Sequence, residues 1–180
     1  QEKRVALTPD GVQLLTDHGH EVSVETGVGL GAHYTDKDYS EAGARIVYSA
    51  KEAFECNMVL KIEPPSDEEL DLLKPNQTLF SALQIKTREK AFFQSLIKKK
   101  TTAIAIEYIN DADGRVPIQQ CMSEIAGNTS ILIAAEYLSN VNDGKGYVLG
   151  GISGVPPTEI VILGAGTVGL YAARTALGMG

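Results

Sequence analysis

The sequence holds little that could staple the chain or ligate a metal. Its 180 residues include two cysteines and three histidines. Cys56 and Cys121 lack the C-x-x-C spacing of a zinc site, and one pair makes no disulfide framework. A reducing, cytoplasmic setting is therefore the expectation. His18 and His20 flank Gly19 at a helix-to-strand turn, and His33 lies in the Gly-rich stretch Gly27–Tyr34. None has a neighbouring nucleophile or a metal-ligand spacing, so no metal is expected. Basic charge is also scarce: 16 Lys and Arg face 23 Asp and Glu, for a net charge of −7. That balance argues against broad binding to nucleic acid or anionic lipid. No apolar run approaches the roughly 20 residues of a membrane span. No signal-peptide pattern, internal repeat or low-complexity tract is visible. Asp111-Ala112-Asp113-Gly114 is part of a calcium-loop pattern, but the first and twelfth positions of such a loop would be Ile109 and Gln120, so it reads as a turn.

What the sequence does contain is ordinary globular material, 43% hydrophobic and 22% charged. Short β-rich runs alternate with helical ones. Strands are expected over His20–Glu25, Ala44–Tyr48, Met58–Ile62, Thr78–Leu83, Thr101–Glu107 and Glu159–Leu163. Continuous apolar runs such as Met58-Val59-Leu60 suit strands covered on both faces, as in a parallel sheet. Helix starts are marked at Thr8-Pro9, and by capping-box patterns at Ser49–Glu52 and Ser66–Glu69. Lys98-Lys99-Lys100 suits a helix C-terminus. The segment Gln119–Asn140 breaks the rhythm with apolar residues at helical spacing and predicts one long helix. Asn140–Pro157, with five glycines and two prolines, reads as loop. The pattern implies an α/β fold.

Near residue 160, a strand pattern runs into Gly164-Ala165-Gly166-Thr167-Val168-Gly169 and then a helical stretch, Leu170–Leu177. This is G-x-G-x-x-G in the context that gives it meaning. Its glycines serve a tight turn, close approach of a pyrophosphate, and helix–strand packing. The helix N-terminus then faces the phosphate charge. The acid that would grip the ribose about 20 residues later falls beyond Gly180, so a longer enzyme is expected. Lys61 lies at a strand end, where open α/β sheets bind ligands, and could hold a carboxylate or polarise a carbonyl. Arg4 is of a type suited to bidentate carboxylate recognition, but its position alone reads as a solvated arginine.

Five runs together resemble the family that joins alanine dehydrogenases to the N-terminal part of the nicotinamide-nucleotide transhydrogenase α subunit. They are Arg4–Pro9, Gly19–Val22, Met58–Lys61, Met122–Gly127 and Val161–Gly169, in that order over nearly the whole chain. Met122-Ser123-Glu124 and Gly150–Val155 are closer to the alanine dehydrogenase branch. Asp113–Ile118 does not match the Arg- and Gln-containing segment of the transhydrogenase branch.

The resemblance implies a Rossmann-like parallel-sheet substrate domain over 1–118. The linking helix and the start of a Rossmann NAD-binding domain would follow over 119–180. It implies an NAD-dependent oxidoreductase converting L-alanine to pyruvate and ammonia, with a small amino-acid or oxo-acid substrate and a homo-oligomeric state. Arg4 matches the family's carboxylate-binding arginine and Lys61 its substrate-binding lysine. Met122 and Ser123 match positions beside the nicotinamide and cofactor, and Gly164, Gly166 and Gly169 match the dinucleotide loop. Arg4 and Lys61 are expected at one crevice, where two cations repel unless an anion joins them, so the site should attract a carboxylate, phosphate or sulfate. One position departs: where the family has a catalytic histidine, this chain has Gln84. Glutamine hydrogen-bonds but does not titrate near neutral pH. A transhydrogenase-like nucleotide-binding subunit, or a non-catalytic NAD-binding relative, is the alternative.

Overall fold

The computed structural model describes residues 2–180, which form two compact units divided after Tyr108. The sequence-based division at 118/119 falls inside the second unit.

The first unit alternates helix and strand: α1 (Pro9–Asp17), β1 (Ser23–Glu25), α2 (Asp36–Glu41), β2 (Arg45–Val47), α3 (Ala50–Ala53), β3 (Met58–Leu60), α4 (Asp67–Leu72), β4 (Thr78–Ser81), α5 (Lys90–Lys98) and β5 (Thr102–Ala105). β1 and β2 pair in parallel, with Ser23 opposite Arg45. The other three strands form a parallel sheet in the order β3-β4-β5, with Met58 opposite Thr78 and Thr78 opposite Thr102. Parallel pairing requires crossovers, and the helices between the strands supply them.

Local chemistry explains where the helices begin. Thr8 Oγ1 accepts from the Gly11 amide, with Pro9 in the first turn. Ser66 and Glu69 form a complete capping box at α4. At α3 the box is only half made. Ser49 accepts from the Glu52 amide, but the Glu52 carboxylate turns to the Ser49 hydroxyl and the Tyr48 amide. Thr35 and Asp38 form a further complete box at α2.

Leu79, on the central strand β4, is fully buried among Phe54, Val59, Leu70, Leu73, Phe92 and Leu96. A smaller cluster joins Val12, Tyr39 and Ala44, and the Tyr39 hydroxyl donates to the Leu7 carbonyl at 2.9 Å. Two polar side chains tie distant segments together. Buried Gln77 donates to the Phe54 and Cys56 carbonyls at 2.8 and 2.6 Å and accepts from the Lys74 amide at 2.9 Å. Lys99 donates to the carbonyls of Leu70, Asp71 and Leu73 at 2.6–2.7 Å. A basic residue after α5 therefore caps the C-terminus of α4 rather than its own helix.

The second unit rests on two helices, α6 (Pro117–Leu138) and α7 (Thr167–Gly178), joined by a long loop that opens with a 3-10 turn at Asn140–Asn142. Gly127 lets them touch. A Cβ there would stand 2.5 Å from the Val168 carbonyl oxygen and 2.7 Å from Tyr171 Cβ. Ile131, Leu149 and Ala172 form the buried centre.

Two expectations need correction here. Glu159–Leu163 is not a strand, because no strand exists among the described residues of this unit to share a ladder with it. The helix expected from Leu170 begins at Thr167, because the last residues of the glycine motif themselves form its first turn.

Candidate functional site

In the first unit, chemistry gathers at the carboxyl ends of the parallel strands, the edge where open α/β sheets bind ligands. Lys61 follows β3 directly, and its amide donates to the Phe80 carbonyl at 2.9 Å. The Lys61 ammonium is partly buried and hydrogen-bonded to the Glu69 carboxylate. Glu69 also receives the Ser66 amide as part of the α4 capping box. Burial pushes the Glu69 carboxyl upward, but the bonds from Lys61 and Ser66 outweigh it and leave the pKa below its ordinary value.

Arg4 is held by the Glu2 carboxylate. Its Nε donates to Oε1 at 2.9 Å and its Nη2 to Oε2 at 2.6 Å. Hydrogen bonding from Arg4 draws the Glu2 pKa down to about 2. Glu63, two residues after Lys61, adds its negative field to that of Glu2 at Arg4. Both cations have acidic partners within the chain itself, Glu69 at Lys61 and Glu2 at Arg4.

Gln84 lies just beyond β4. Its backbone is left-handed, with φ of 50°, and its side chain is exposed. The backbone is bonded on both sides. Its amide donates to Glu107 Oε1 at 2.7 Å, and its carbonyl accepts from the Thr87 and Arg88 amides at 2.9 and 3.2 Å. Glu107 also accepts from the Leu83 amide, at 3.0 Å through Oε1. The sequence offered no local sign of this carboxylate, which stands 23 positions from Gln84.

In the second unit an open cleft of about 830 Å³ is lined by Ser123 from α6 and by Gly164, Gly166 and Gly169. Met122 precedes Ser123 on α6 and is 38% exposed. Gly164 has a φ of 117°, which disfavours any residue with a side chain. A Cβ on Gly169 would land on the Gly164 carbonyl oxygen, so this glycine closes the turn against the helix. A Cβ on Gly166 would meet nothing within 4 Å. Open space at that position, with the first-turn amides of α7 lacking intrahelical acceptors, is the cradle a pyrophosphate requires. The residues present thus fit a dinucleotide. Across the α6–α7 contact, a hydrogen bond to Glu124 raises the Tyr171 pKa.

Among the described residues no three His, Cys, Asp or Glu gather as a metal site, and no helix is long and apolar enough to cross a membrane.

A parallel α/β unit is followed by a glycine loop at a helix start, and comparison with known proteins shows the family that shares this order. The family model described as "Alanine dehydrogenase/PNT, N-terminal domain" matches residues 1–126, and "Alanine dehydrogenase/PNT, C-terminal domain" matches 130–180. The chain belongs to the alanine dehydrogenase/PNT family. It is 43% identical over 179 residues to an alanine dehydrogenase of Staphylococcus epidermidis, and 45% identical over 180 residues to one of Methanococcus maripaludis. Each match covers 99% of this chain and 48% of the relative. The chain therefore spans about half the length of the curated relatives it matches.

Among solved structures, an L-alanine dehydrogenase superposes with a TM-score of 0.92 at 40% identity, covering 99% of this chain and 49% of that one. A transhydrogenase from Sinorhizobium meliloti superposes with a TM-score of 0.86 at 25% identity, covering 99% and 53%.

Proposed function

We propose that the full protein is an NAD-dependent amino-acid dehydrogenase of the alanine dehydrogenase type. It would take L-alanine, oxidised NAD and water to pyruvate, ammonium, NADH and a proton. The observation that carries this reading is the loop 164–169, with an open position at Gly166 in front of the unbonded first-turn amides of α7. When bound, the nicotinamide would supply the hydride acceptor. Ser123 and the three glycines would hold the cofactor, and Met122 would contribute to substrate binding. Arg4 exchanges its Glu2 partner for the substrate carboxylate. Lys61, oriented by Glu69, adds positive charge beside the carboxylate or carbonyl. Gln84 hydrogen-bonds the reacting oxygen or amine without transferring a proton.

The test uses full-length protein with NAD and a panel of small amino acids, read by nicotinamide absorbance. Alanine is expected to give the fastest reduction, and no reduction with any amino acid would overturn the reading. A Gly166→Val variant should weaken NAD binding about tenfold or more, a loss of about 1.4 kcal/mol. Its melting temperature without cofactor should fall only slightly, because the added Cβ meets open space while valine is a poorer N-cap than glycine. Equal NAD affinity in the two forms would remove the loop from the site. Gln84 favours a second reading, a family member that binds NAD but does not turn over alanine. NAD binding without reduction on the same panel would support it.

A further inference from the structure

We propose that Glu107 is the positioning residue for Gln84, fixing the turn that presents this side chain to the substrate. The proposal rests on the reading of Gln84 as a substrate-pocket residue. Leu83 and Gln84 offer two successive backbone amides to one carboxylate. Glu107 Oε1 receives both, at 3.0 and 2.7 Å, and Oε2 lies 3.2 Å from the Leu83 amide. Successive amides converge in this way where one residue is left-handed, and the concavity they make binds anions. Gln84 is that residue, and the anion is supplied by the chain itself. Charge-assisted bonds of this kind are short and strong.

The far side of the residue is fixed as well. Its carbonyl accepts from the Thr87 and Arg88 amides and from Thr87 Oγ1 at 3.0 Å. Glu107 follows β5, the direct neighbour of β4, so the clamp spans the carboxyl ends of two adjacent parallel strands. A left-handed glutamine is unfavourable by its own sterics. Without the carboxylate the turn can relax, and the side chain leaves its orientation.

The test uses full-length enzyme with alanine and NAD. Glu107→Ala should lower kcat/KM for alanine about 10- to 100-fold, the scale of a misplacement near 1 Å. The KM for NAD should not change. In a Gln84→Ala background, Glu107→Ala should cause little further loss. Glu107→Gln, which keeps one acceptor oxygen, should recover part of the activity and serves if the alanine variant does not fold. Full additivity of the two losses would overturn the proposal. Unchanged turnover in Gln84→Ala alone would overturn the Gln84 reading and the proposal with it. A second measurement needs no turnover: hydrogen exchange of the peptide covering residues 82–88 should quicken in Glu107→Gln. Unchanged exchange there in a folded variant would show that Glu107 does not hold the turn, whether or not alanine is the substrate.

Discussion

The two units handle their apolar residues differently. In the first, strands and helices enclose a core in which Leu79 has no exposed surface, and five strands find partners. In the second, two helices meet at a glycine and, with Leu149 of the loop between them, bury three apolar side chains, while Val161 and Leu163 stand 75% and 95% exposed. The extended run before the glycine loop has the composition of a buried strand without the ladder. Among the described residues, enclosure comes from pairing and crossovers in the first unit and from one close helix contact in the second, in a chain that spans about half the length of its relatives. The candidate chemistry follows the same division. Side chains at strand ends serve the first unit, and backbone amides at a helix start serve the second.

The comparison can be broken most sharply at the first core. Leu79→Ala should cost about 2–5 kcal/mol, the range for emptying a fully buried aliphatic site, read as a fall in denaturation midpoint. A loss below about 1 kcal/mol would show that this sheet is not the stable centre. The second unit should respond to added volume instead. Gly127→Ala forces a methyl group against the Val168 carbonyl and Tyr171, so it should cost about 1–3 kcal/mol. It should also weaken NAD binding, because Val168 belongs to the glycine loop. A neutral Gly127→Ala would show that the α6–α7 contact is soft.

The smallest effect is electrostatic. Because the Glu69 pKa is lower in the folded state than its ordinary value of 4.5, its contribution is complete above that pH and fades as pH falls through the folded value. Lys61→Met should flatten that acid-side decline by less than about 1 kcal/mol, seen as melting temperature against pH. An unchanged slope would detach Lys61 from Glu69.

Much of this arrangement was written in local patterns. Thr8-Pro9 and Ser66-x-x-Glu69 each satisfy amides within one turn, so four residues suffice to mark a helix start. Met58-Val59-Leu60 marks the strand through composition, but the cover expected on both faces is not there: Val59 is buried while Met58 and Leu60 stand 47% and 37% exposed. Thr35-x-x-Asp38 makes the same box with aspartate in the usual glutamate place, which hid it. Lys61 and Gln84 could be placed at strand ends from the run of β residues before them, but their partners could not. Glu69 sits on α4, eight residues after Lys61, and Glu107 lies a whole crossover away from Gln84; neither spacing is a motif that announces the contact. Lys99 shows the same limit, because its helix-end chemistry was visible while the helix it serves was not. Glu159–Leu163 erred in the opposite direction. Its residues favour a strand, but a ladder is a property of two segments.

The turn at Gln84 has a consequence for how the pocket can change. Glu107, Thr87 and Arg88 grip main-chain atoms at this position, and those atoms are the same in every residue but proline. The loop's path therefore does not depend on which side chain stands at 84. Left-handed geometry still filters the occupant, disfavouring branched residues and tolerating histidine, asparagine and aspartate better than most. Position 84 is in effect an interchangeable fitting on a fixed mount. A glutamine and a histidine can trade places there without remodelling the scaffold, so reactivity at this strand end can evolve by single substitutions while the fold stays as it is.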